Sequence, residues 1–265
     1  KIFPFDGYMN HSYDAYKNIS NIISDLLNPG SKILDIGSGP ADKPAILQKL
    51  GFECIAYDDL NDDWHKVDNN KEKILKFSSD AGVKYVIADE NDPHFNLESF
   101  DMLMFNGVLE HLHSSPRTML NKFIKYLKPN GYLFITVPNA VNIRKRIAVL
   151  FGKTNLPDYQ SFYYHPGEWR GHIREYVEND LILLTKNLGL TIKLLRGCDH
   201  MISTRLRKVN KILYLIITSL DRSLKDSWVM IAQKPDNWLP QKEIDYLEYL
   251  EYLNKKSLTG YSIKK

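Results

Sequence analysis

Short apolar runs alternate with helical stretches between residues 31 and 137, and this alternation limits the folds open to the chain. Composition and turn residues predict strands at 32–36, 53–57, 83–88, 101–105 and 132–137, with helices at 42–50, 69–81 and 115–127. The helix at 42–50 has its own boundary signals, because Asp42 can cap its start and Gly51 can end it. Strands that alternate with helices pair in parallel through right-handed crossovers, so the pattern predicts an α/β domain.

The alternation breaks after the fifth predicted strand. Residues 138–174 are basic, rich in aromatic side chains and without a strand pattern, as expected of an insertion that caps a site. A helix at 177–187 and strands at 190–195 and 228–233 complete a mostly parallel seven-stranded sheet with helices on both faces. We predict one domain over residues 1–265: a helical cover (1–30), a core (31–137), a substrate-cap insertion (138–176), the rest of the core (177–233) with a helical insertion (200–222), and a tail (234–265).

Composition argues against several classes of protein. The 35 basic and 32 acidic residues give a net charge of only +3, which argues against a nucleic-acid partner. Cys54 and Cys198 lie far apart in apolar runs, so they predict buried, reduced thiols and neither a disulfide framework nor a metal site. Residues 1–13 lack the apolar core of a signal peptide, and together with the reduced cysteines this predicts a cytoplasmic location.

A glycine loop, Gly37-Ser38-Gly39, follows the first predicted strand. Glycine lets the backbone turn tightly and approach a ligand, and the next helix presents unpaired N–H groups suited to an anion. The dinucleotide-binding fingerprint needs a third glycine, but Asp42 occupies that position, where its carboxylate would repel a pyrophosphate. A loop that binds some other ligand is therefore the main interpretation, and a glycine turn without a ligand is the alternative.

Asp35-x-Gly37-x-Gly39 resembles motif I of the class I S-adenosylmethionine-dependent methyltransferases, and the resemblance extends over residues 31–137. It implies a Rossmann-like fold, with S-adenosyl-L-methionine as the cofactor and S-adenosyl-L-homocysteine as the product. By this resemblance, the loop of Gly37, Ser38 and Gly39 passes close to the methionine part of the cofactor, and Asp35 helps to hold its ammonium group. A carboxylate suits a cation, which agrees with that role.

Polar residues at the ends of the next three strands fit the same resemblance. Asp58, with Asp59 beside it, follows the second strand and can accept hydrogen bonds from two ribose hydroxyls. By the resemblance, Asp89 after the third strand accepts from the adenine amino group, and Asn106 ends the fourth strand beside the reactive methyl group. For each acid, a solvated surface residue is the alternative interpretation.

Glu110-His111 resembles part of the Glu-x-x-Glu-His metal cluster of ubiquinone-pathway O-methyltransferases and small-RNA methyltransferases. The first glutamate of that cluster is Gly107 in this chain. A magnesium site built from Glu110 and His111 alone would be incomplete, so we predict that the protein holds no metal. His111 then orients its helix or contacts the cofactor, and it is the second candidate for a general base.

The cap carries the main candidates for the acceptor site. Residues 172–176 resemble a His-x-Arg-x-Tyr segment of sugar- and natural-product-modifying methyltransferases. An imidazole can take an alcohol proton near neutral pH, so His172 is the preferred general base, with Arg174 orienting it or binding substrate. For the aromatic side chains of Tyr163, Tyr164 and Trp169, which can stack on a sugar or ring acceptor, packing within the cap is the alternative. Further candidates for contact with the acceptor are Tyr164, His165 and Trp169.

These features predict a methyltransferase that acts on an oxygen of a small-molecule acceptor, with a sugar or glycan precursor as the first candidate. The alternatives are an O-methyltransferase of a lipophilic quinone-like acceptor and a non-catalytic module that binds the cofactor. Basic amphipathic stretches at 142–151 and 205–222 can pack on the core or make peripheral contact with an anionic membrane surface.

Overall fold

The computed structural model describes residues 3–10, 12–89, 94–199, 208–242 and 244–255. Its strands are β1 (Lys32–Ile36), β2 (Glu53–Asp58), β3 (Lys84–Ile87), β4 (Phe100–Asn106), β5 (Leu127–Pro138), β6 (Thr191–Cys198) and β7 (Ser227–Gln233). The helices in these ranges are α1 (Tyr13–Leu26), α2 (Asp42–Lys49), α3 (Asp63–Lys66), α4 (Asn70–Ala81), α5 (Pro116–Ile124), α6 (Ile143–Leu150), α7 (Tyr159–Tyr163), α8 (Glu178–Asn187), α9 (Lys208–Leu220) and α10 (Tyr246–Lys255). Turns of 3₁₀ helix follow β4 at Leu109–His111 and α9 at Arg222–Leu224.

The strands form one sheet in the order β3-β2-β1-β4-β5-β7-β6, which confirms the predicted seven-stranded, mostly parallel, Rossmann-like architecture. Strands β1 to β5 pair in parallel, whereas β7 runs antiparallel between β5 and β6. The strand order reverses between β1 and β4, so the loops after these two strands part and open a crevice. Open α/β sheets bind their ligands at such a switch point, which here lies between Gly37 and Asn106.

Helices cover both faces of the sheet, as the sequence predicts. The apolar cluster on one face joins α1 and α2 to the strands and includes Ile23, Leu47, Ile33 and Met102. The cluster on the other face joins α5 and α8 to the strands and includes Phe123, Leu181, Leu34 and Phe105. Successive strand residues alternate between the two clusters, and this burial on both faces is typical of parallel sheets.

The fifth strand begins differently from the prediction. Residues 128–131 carry turn residues, yet β5 starts at Leu127 and continues through them. Its register against β4 shifts between Phe100 and Met102, and Asn130 adopts a left-handed conformation with a φ of 62°. The predicted turn at 128–131 is therefore an irregularity inside the strand, and the turn that precedes β5 lies earlier, at residues 125–126.

The cap insertion consists of α6, α7 and an irregular segment that leads to α8. An isolated bridge pairs Asn139 with Tyr176 and so joins the two ends of the insertion beside the carboxyl end of β5. The helical insertion predicted at 200–222 lies partly outside the described residues, and its described part begins with α9. Within the described ranges, no helix combines the length and the apolar character that crossing a membrane requires.

Candidate functional site

The glycine loop turns sharply between β1 and α2. Gly37 and Gly39 have φ angles of 69° and 54°, in the left-handed region that favours glycine. A Cβ atom on Gly37 would lie 2.5 Å from Cγ2 of Val108, so the loop approaches the chain after β4 because Gly37 has no side chain. A Cβ atom on Gly39 would meet nothing within 4 Å, which leaves room for a ligand beside it.

Asp58 ties the glycine loop to the end of β2. Its carboxylate accepts hydrogen bonds from the N–H groups of Gly39, at 2.8 Å, and Leu60, at 2.7 Å. Burial raises the pKa of Asp58, and these two backbone hydrogen bonds oppose the rise. With Gly37 and Asp59, the side chain lines a cavity of about 520 Å³, which we call the cofactor cleft. A cleft of this volume is typical of small-molecule sites.

Asp35 and Ser38 are buried below the loop. Asp35 is only 2% exposed, and neither its Oδ1 atom nor the Ser38 hydroxyl has a hydrogen-bond partner within the protein. Burial raises the pKa of Asp35 to about 7, and the positive charge of Lys43 opposes the rise. A buried polar atom without a partner costs free energy until a ligand supplies one. These atoms therefore fit the ammonium-bearing part of the cofactor that the sequence implies.

Of the other predicted cofactor residues, Asp59 and Asn106 line cavities, whereas Asp89 lines neither the cofactor cleft nor the second cavity. Asp59 lines the cofactor cleft, and its carboxylate lies 3.5 Å from the guanidinium of Arg170 in the cap. Asn106 ends β4 and lines a second cavity. Asp89 is exposed beyond β3, and the wall of the cleft is formed by Ala88 instead. Contact of Asp89 with the adenine amino group stays a prediction.

The second cavity, of about 400 Å³, adjoins the cofactor cleft, and we call it the central cavity. The two cavities share Gly107 as a lining residue. α1, α2, β4, β5 and the cap all contribute to the walls of the central cavity. Its polar lining includes Tyr16, Lys43, Asn106, Glu110 and His172.

Glu110, His111 and His172 meet at the border of the two cavities. One potential ligand atom of each side chain lies within 4.8 Å of the other two, and the imidazole rings are 5.0 Å apart. Both histidines are held through Nδ1. Nδ1 of His111 lies 2.7 Å from the carbonyl oxygen of Arg170, and Nδ1 of His172 lies 2.9 Å from the carboxylate of Glu175. These contacts leave Nε2 of each ring for a ligand.

Burial shifts the pKa values of Glu110 and His172 in opposite directions. Glu110 is 3% exposed, and burial raises its pKa to about 7. Burial, together with His111 and Lys145, lowers the pKa of His172 to about 4. The expectation that His172 titrates near neutral pH is therefore corrected, because the ring has lost solvent. A carboxyl group poised near neutrality beside an uncharged imidazole can accept a proton from a ligand.

The same three side chains could donate to a metal ion, and Oε2 of Glu110 is buried without a hydrogen-bond partner. Two imidazoles and one carboxylate suit zinc or another transition metal better than magnesium. An ion there would polarise an acceptor oxygen as a Lewis acid. Gly107 adds no ligand where the resembled cluster has a glutamate, and a site without metal stays the prediction from the sequence.

Three of the predicted substrate residues do not line the central cavity, although Nε1 of Trp169 donates a hydrogen bond to the carbonyl oxygen of His172 at 3.4 Å. Tyr164 is 75% exposed and packs edge-on against Tyr163. Trp169 packs edge-on against His165 inside the cap. Of the described residues that line the central cavity, none is one of these three. These ring contacts agree with the alternative of packing within the cap, and contact of Tyr164, His165 and Trp169 with the acceptor stays a prediction.

Arg174 does not orient His172. Its guanidinium donates to Asp180 at 3.3 Å, whereas Glu175 holds the imidazole and is itself ion-paired with Lys145. Arg174 and His172 do share a smaller cavity of about 220 Å³, so a contact of Arg174 with substrate stays a prediction.

Two further charged residues border the site, and the sequence analysis does not single them out. Arg170 joins the cap to the cofactor cleft through Asp59 and through Asp62, at 3.0 Å. Its partner Asp62 is 108 residues away in the chain, so no local pattern indicates the contact. Lys43 lies in the first turn of α2 and borders the central cavity, and its place directly after the glycine loop is a signal in the sequence.

Comparison with known proteins gives the following similarities. A family model described as a methyltransferase domain matches residues 8–194. The mitochondrial ubiquinone biosynthesis O-methyltransferase of Bos taurus is 25% identical over 130 residues, which cover 47% of this chain and 33% of that protein. The demethylmenaquinone methyltransferase of Corynebacterium glutamicum is 28% identical over 109 residues, 41% of this chain and 42% of that protein. The matches thus span about a third and two fifths of these relatives.

Among solved structures, the 1,6-didemethyltoxoflavin-N1-methyltransferase of Burkholderia thailandensis matches with a TM-score of 0.55 and 19% identity. The match covers 87% of this chain and 82% of that one, whose structure contains 1,6-didemethyltoxoflavin and S-adenosylhomocysteine. At this identity the likeness shows a shared fold and leaves the acceptor of this chain open.

Proposed function

The chain belongs to the class I S-adenosylmethionine-dependent methyltransferases, as the family match over residues 8–194 shows, and from this premise we propose its reaction. S-adenosyl-L-methionine is its cofactor, and S-adenosyl-L-homocysteine is the product of that cofactor. We propose that the methyl group passes to an oxygen of a small molecule, with a sugar or glycan precursor as the first candidate.

The cluster of Glu110, His111 and His172 supports this proposal, because it borders the central cavity in which an acceptor would lie. A hydroxyl group must lose its proton as it is methylated, and a positioned base assists that loss. Glu110 is poised near neutrality, and His172 is uncharged at neutral pH. The proton of the acceptor would therefore pass to this pair, with Glu175 fixing the imidazole.

Besides the loss of the proton, the reaction requires that the cofactor and the acceptor are aligned. Methyl transfer from a sulfonium is an in-line displacement, for which bound S-adenosylmethionine supplies the methyl group and the leaving group. In this proposal the acceptor lies in the central cavity, which Asn106 lines, and the cofactor lies in the adjoining cleft, which Gly37 and Asp58 line. Correct alignment of two reactants can lower a barrier by about 7–11 kcal/mol, so closely adjoining cavities can provide much of the rate.

Replacement of His172 tests the proposal in a screen of sugars, sugar nucleotides and polyols for release of S-adenosylhomocysteine. With an active acceptor, His172→Ala should lower kcat by about 10²–10⁴-fold, while the Kd for S-adenosylhomocysteine hardly changes. His94→Ala is the matched control, because His94 is exposed and lines neither cavity. Near-normal kcat in His172→Ala would remove this residue from the mechanism, and acceptors methylated only on nitrogen or carbon would overturn the oxygen acceptor.

A lipophilic quinone-like acceptor is the second candidate. The two relatives described above are named for ubiquinone biosynthesis and for demethylmenaquinone. The cap exposes Leu150 and Phe151, and α9 exposes Leu220, each by more than three quarters. Arg144 and Arg146 are exposed on the same helix as Leu150, and a basic apolar surface of this kind suits contact with an anionic membrane.

A short-chain hydroquinone in the same screen distinguishes the two candidates. Methylation of the hydroquinone, with no turnover of sugars, would favour the second candidate, and sedimentation with phosphatidylglycerol vesicles would test the membrane contact. Binding of S-adenosylmethionine without release of S-adenosylhomocysteine for any acceptor would favour the non-catalytic module.

A further inference from the structure

A further cavity, of about 460 Å³, opens at the carboxyl end of β6, and the proposed methyl transfer gives it no role. The first two turns of α1 and of α9 contribute to its walls, together with the chain just before β7. Its lining includes three basic side chains, Arg196, Lys211 and Lys225, and the two carboxylates of Asp14 and Asp199. The described lining therefore has a formal excess of one positive charge, and we call this space the basic cavity.

Gly197 allows the chain after α9 to approach the end of β6 closely. A Cβ atom on Gly197 would collide with the carbonyl oxygen of Arg222 and would lie 3.2 Å from Cβ of Lys225. The 3₁₀ turn at Arg222–Leu224 packs directly on the backbone of β6 because residue 197 has no side chain. This close approach places Lys225, the next residue, at the basic cavity, where its side chain is 27% exposed.

Asp199 holds Lys225 at the wall of the basic cavity. Its Oδ1 atom accepts a hydrogen bond from the Tyr214 hydroxyl at 2.6 Å, and its Oδ2 atom accepts one from Nζ of Lys225 at 2.8 Å. An ammonium group has three donors, and this ion pair uses one of them. Two N–H groups of Lys225 therefore remain for a ligand in the cavity.

Arg196 brings a guanidinium group with an unsatisfied donor to the same cavity. One of its terminal nitrogens donates to the amide oxygen of Asn18 on α1, and the amide nitrogen of Asn18 donates to Sγ of Cys198 at 3.5 Å. Nε of Arg196 is buried and has no hydrogen-bond partner within the described structure. A buried donor without a partner costs free energy, and an oxyanion that enters the cavity can offset this cost.

The basic cavity lies next to the central cavity. Cys198, which lines the basic cavity, pairs in the sheet with Ser227, which lines the central cavity. Helix α1 also separates the two spaces, because Asn18 lines the basic cavity and Tyr16 lines the central cavity. S-adenosylmethionine has no phosphate group, so a phosphate group in the basic cavity would belong to another ligand.

We propose that the basic cavity binds a phosphate group of a ligand other than the cofactor. A phosphate ester offers three acceptor oxygens and a charge of about −1.5 to −2. It can therefore accept donors at once from Arg196, Lys211 and Lys225, which come from β6, from α9 and from the chain before β7. A soluble phosphate ester and the headgroup of an anionic lipid both present this group. The proposal concerns binding alone, so it does not depend on which molecule is methylated.

Two further ligands identify the source of the phosphate group. A sugar 1-phosphate, titrated by calorimetry, represents a soluble ester. Sedimentation with phosphatidylglycerol vesicles, compared with phosphatidylcholine vesicles, represents a lipid headgroup. Loss of sugar phosphate binding in Arg196→Met would support a soluble ligand, and loss of binding to phosphatidylglycerol vesicles would support a lipid; in both cases the basic cavity binds the phosphate group.

Calorimetry with inorganic pyrophosphate tests the proposal itself, with S-adenosylhomocysteine present at saturation so that the glycine loop is occupied. Arg196→Met and Lys225→Met should each weaken binding of pyrophosphate by about 10–100-fold, because each removes a charge-assisted hydrogen bond. Arg196→Lys keeps the charge and should recover part of the lost affinity. The Kd for S-adenosylhomocysteine should stay unchanged in every variant, which shows that the variant has folded.

Lys193→Met is the matched control, because Lys193 is exposed on the same strand as Arg196 and does not line the basic cavity. Lys211→Met should also weaken binding of pyrophosphate, and it keeps the test open if another variant fails to fold, since most of the described side chains of α9 are exposed. No binding of pyrophosphate to the wild type, or equal affinity in Lys193→Met and the cavity variants, would overturn the proposal.

Discussion

Replacement of Gly37 by alanine probes the close approach on which the cofactor cleft depends. Gly37 has a φ of 69°, and a Cβ atom there would lie 2.5 Å from Cγ2 of Val108. A left-handed conformation costs an L-residue about 1–2 kcal/mol, and an extra methyl group in a filled space costs about 1–3 kcal/mol more. Gly39→Ala carries only the first cost, because its Cβ would meet nothing within 4 Å. Gly37→Ala should therefore be the less stable variant by about 1–3 kcal/mol.

Urea denaturation followed by circular dichroism measures this difference directly. The same reasoning predicts a rescue, because Val108→Ala removes the methyl group that the new Cβ would meet. In the background of Val108→Ala, replacement of Gly37 should cost no more than replacement of Gly39 does in the wild type. Equal destabilisation by the two glycine variants, or no rescue by Val108→Ala, would refute the steric argument.

Asp58→Ala should weaken binding of S-adenosylhomocysteine by about 1–3 kcal/mol through lost charge-assisted hydrogen bonds, and unchanged affinity in calorimetry would remove Asp58 from the site. Methyl transfer should survive EDTA, because Gly107 leaves the possible metal cluster without its first carboxylate; activity lost to EDTA and restored by zinc or magnesium would contradict this. Burial raises the pKa of Glu110 from 4.5 to about 7, so the unfolded chain releases this proton first. The free energy of unfolding should therefore fall by up to about 3 kcal/mol as the pH rises from about 4.5 through 7. Glu110→Gln should lack this component of the pH dependence, and parallel stability profiles for the variant and the wild type would argue against it.

The strands that carry the glycine loop and the acids are predictable because their signals are local. β1 occupies the predicted residues 32–36, and α2 starts at Asp42 as predicted. A parallel strand is buried on both faces, so it leaves a continuous apolar run between boundary residues. The start of β5 shows the limit of this reasoning, because residues 128–131 favour a turn locally while pairing with β4 draws the chain into the sheet before them.

The candidate site is less predictable, because its members come from distant parts of the chain. The sequence indicates His111 and His172 separately, but only the fold brings their rings to 5.0 Å. The spacing of residues 172–176 does not say which neighbour faces the imidazole, and the structure selects Glu175 over Arg174. Aromatic side chains of a cap can pack on one another as well as on a ligand, and the sequence does not indicate that Trp169 packs on His165 and does not line the central cavity.

The cap reaches both walls of the cofactor cleft, and this has a consequence for the order of events in turnover. Arg170 pairs with two aspartates of the loop after β2, and its carbonyl oxygen contacts His111 on the opposite wall. Only Gly171 separates Arg170 from His172 in the chain. The contacts of Arg170 with the two aspartates and the position of His172 beside His111 therefore depend on the same short segment of the cap. We therefore expect a ligand that orders this segment in the cofactor cleft also to favour the arrangement of Glu110, His111 and His172, and the reverse, because coupling between two sites is reciprocal.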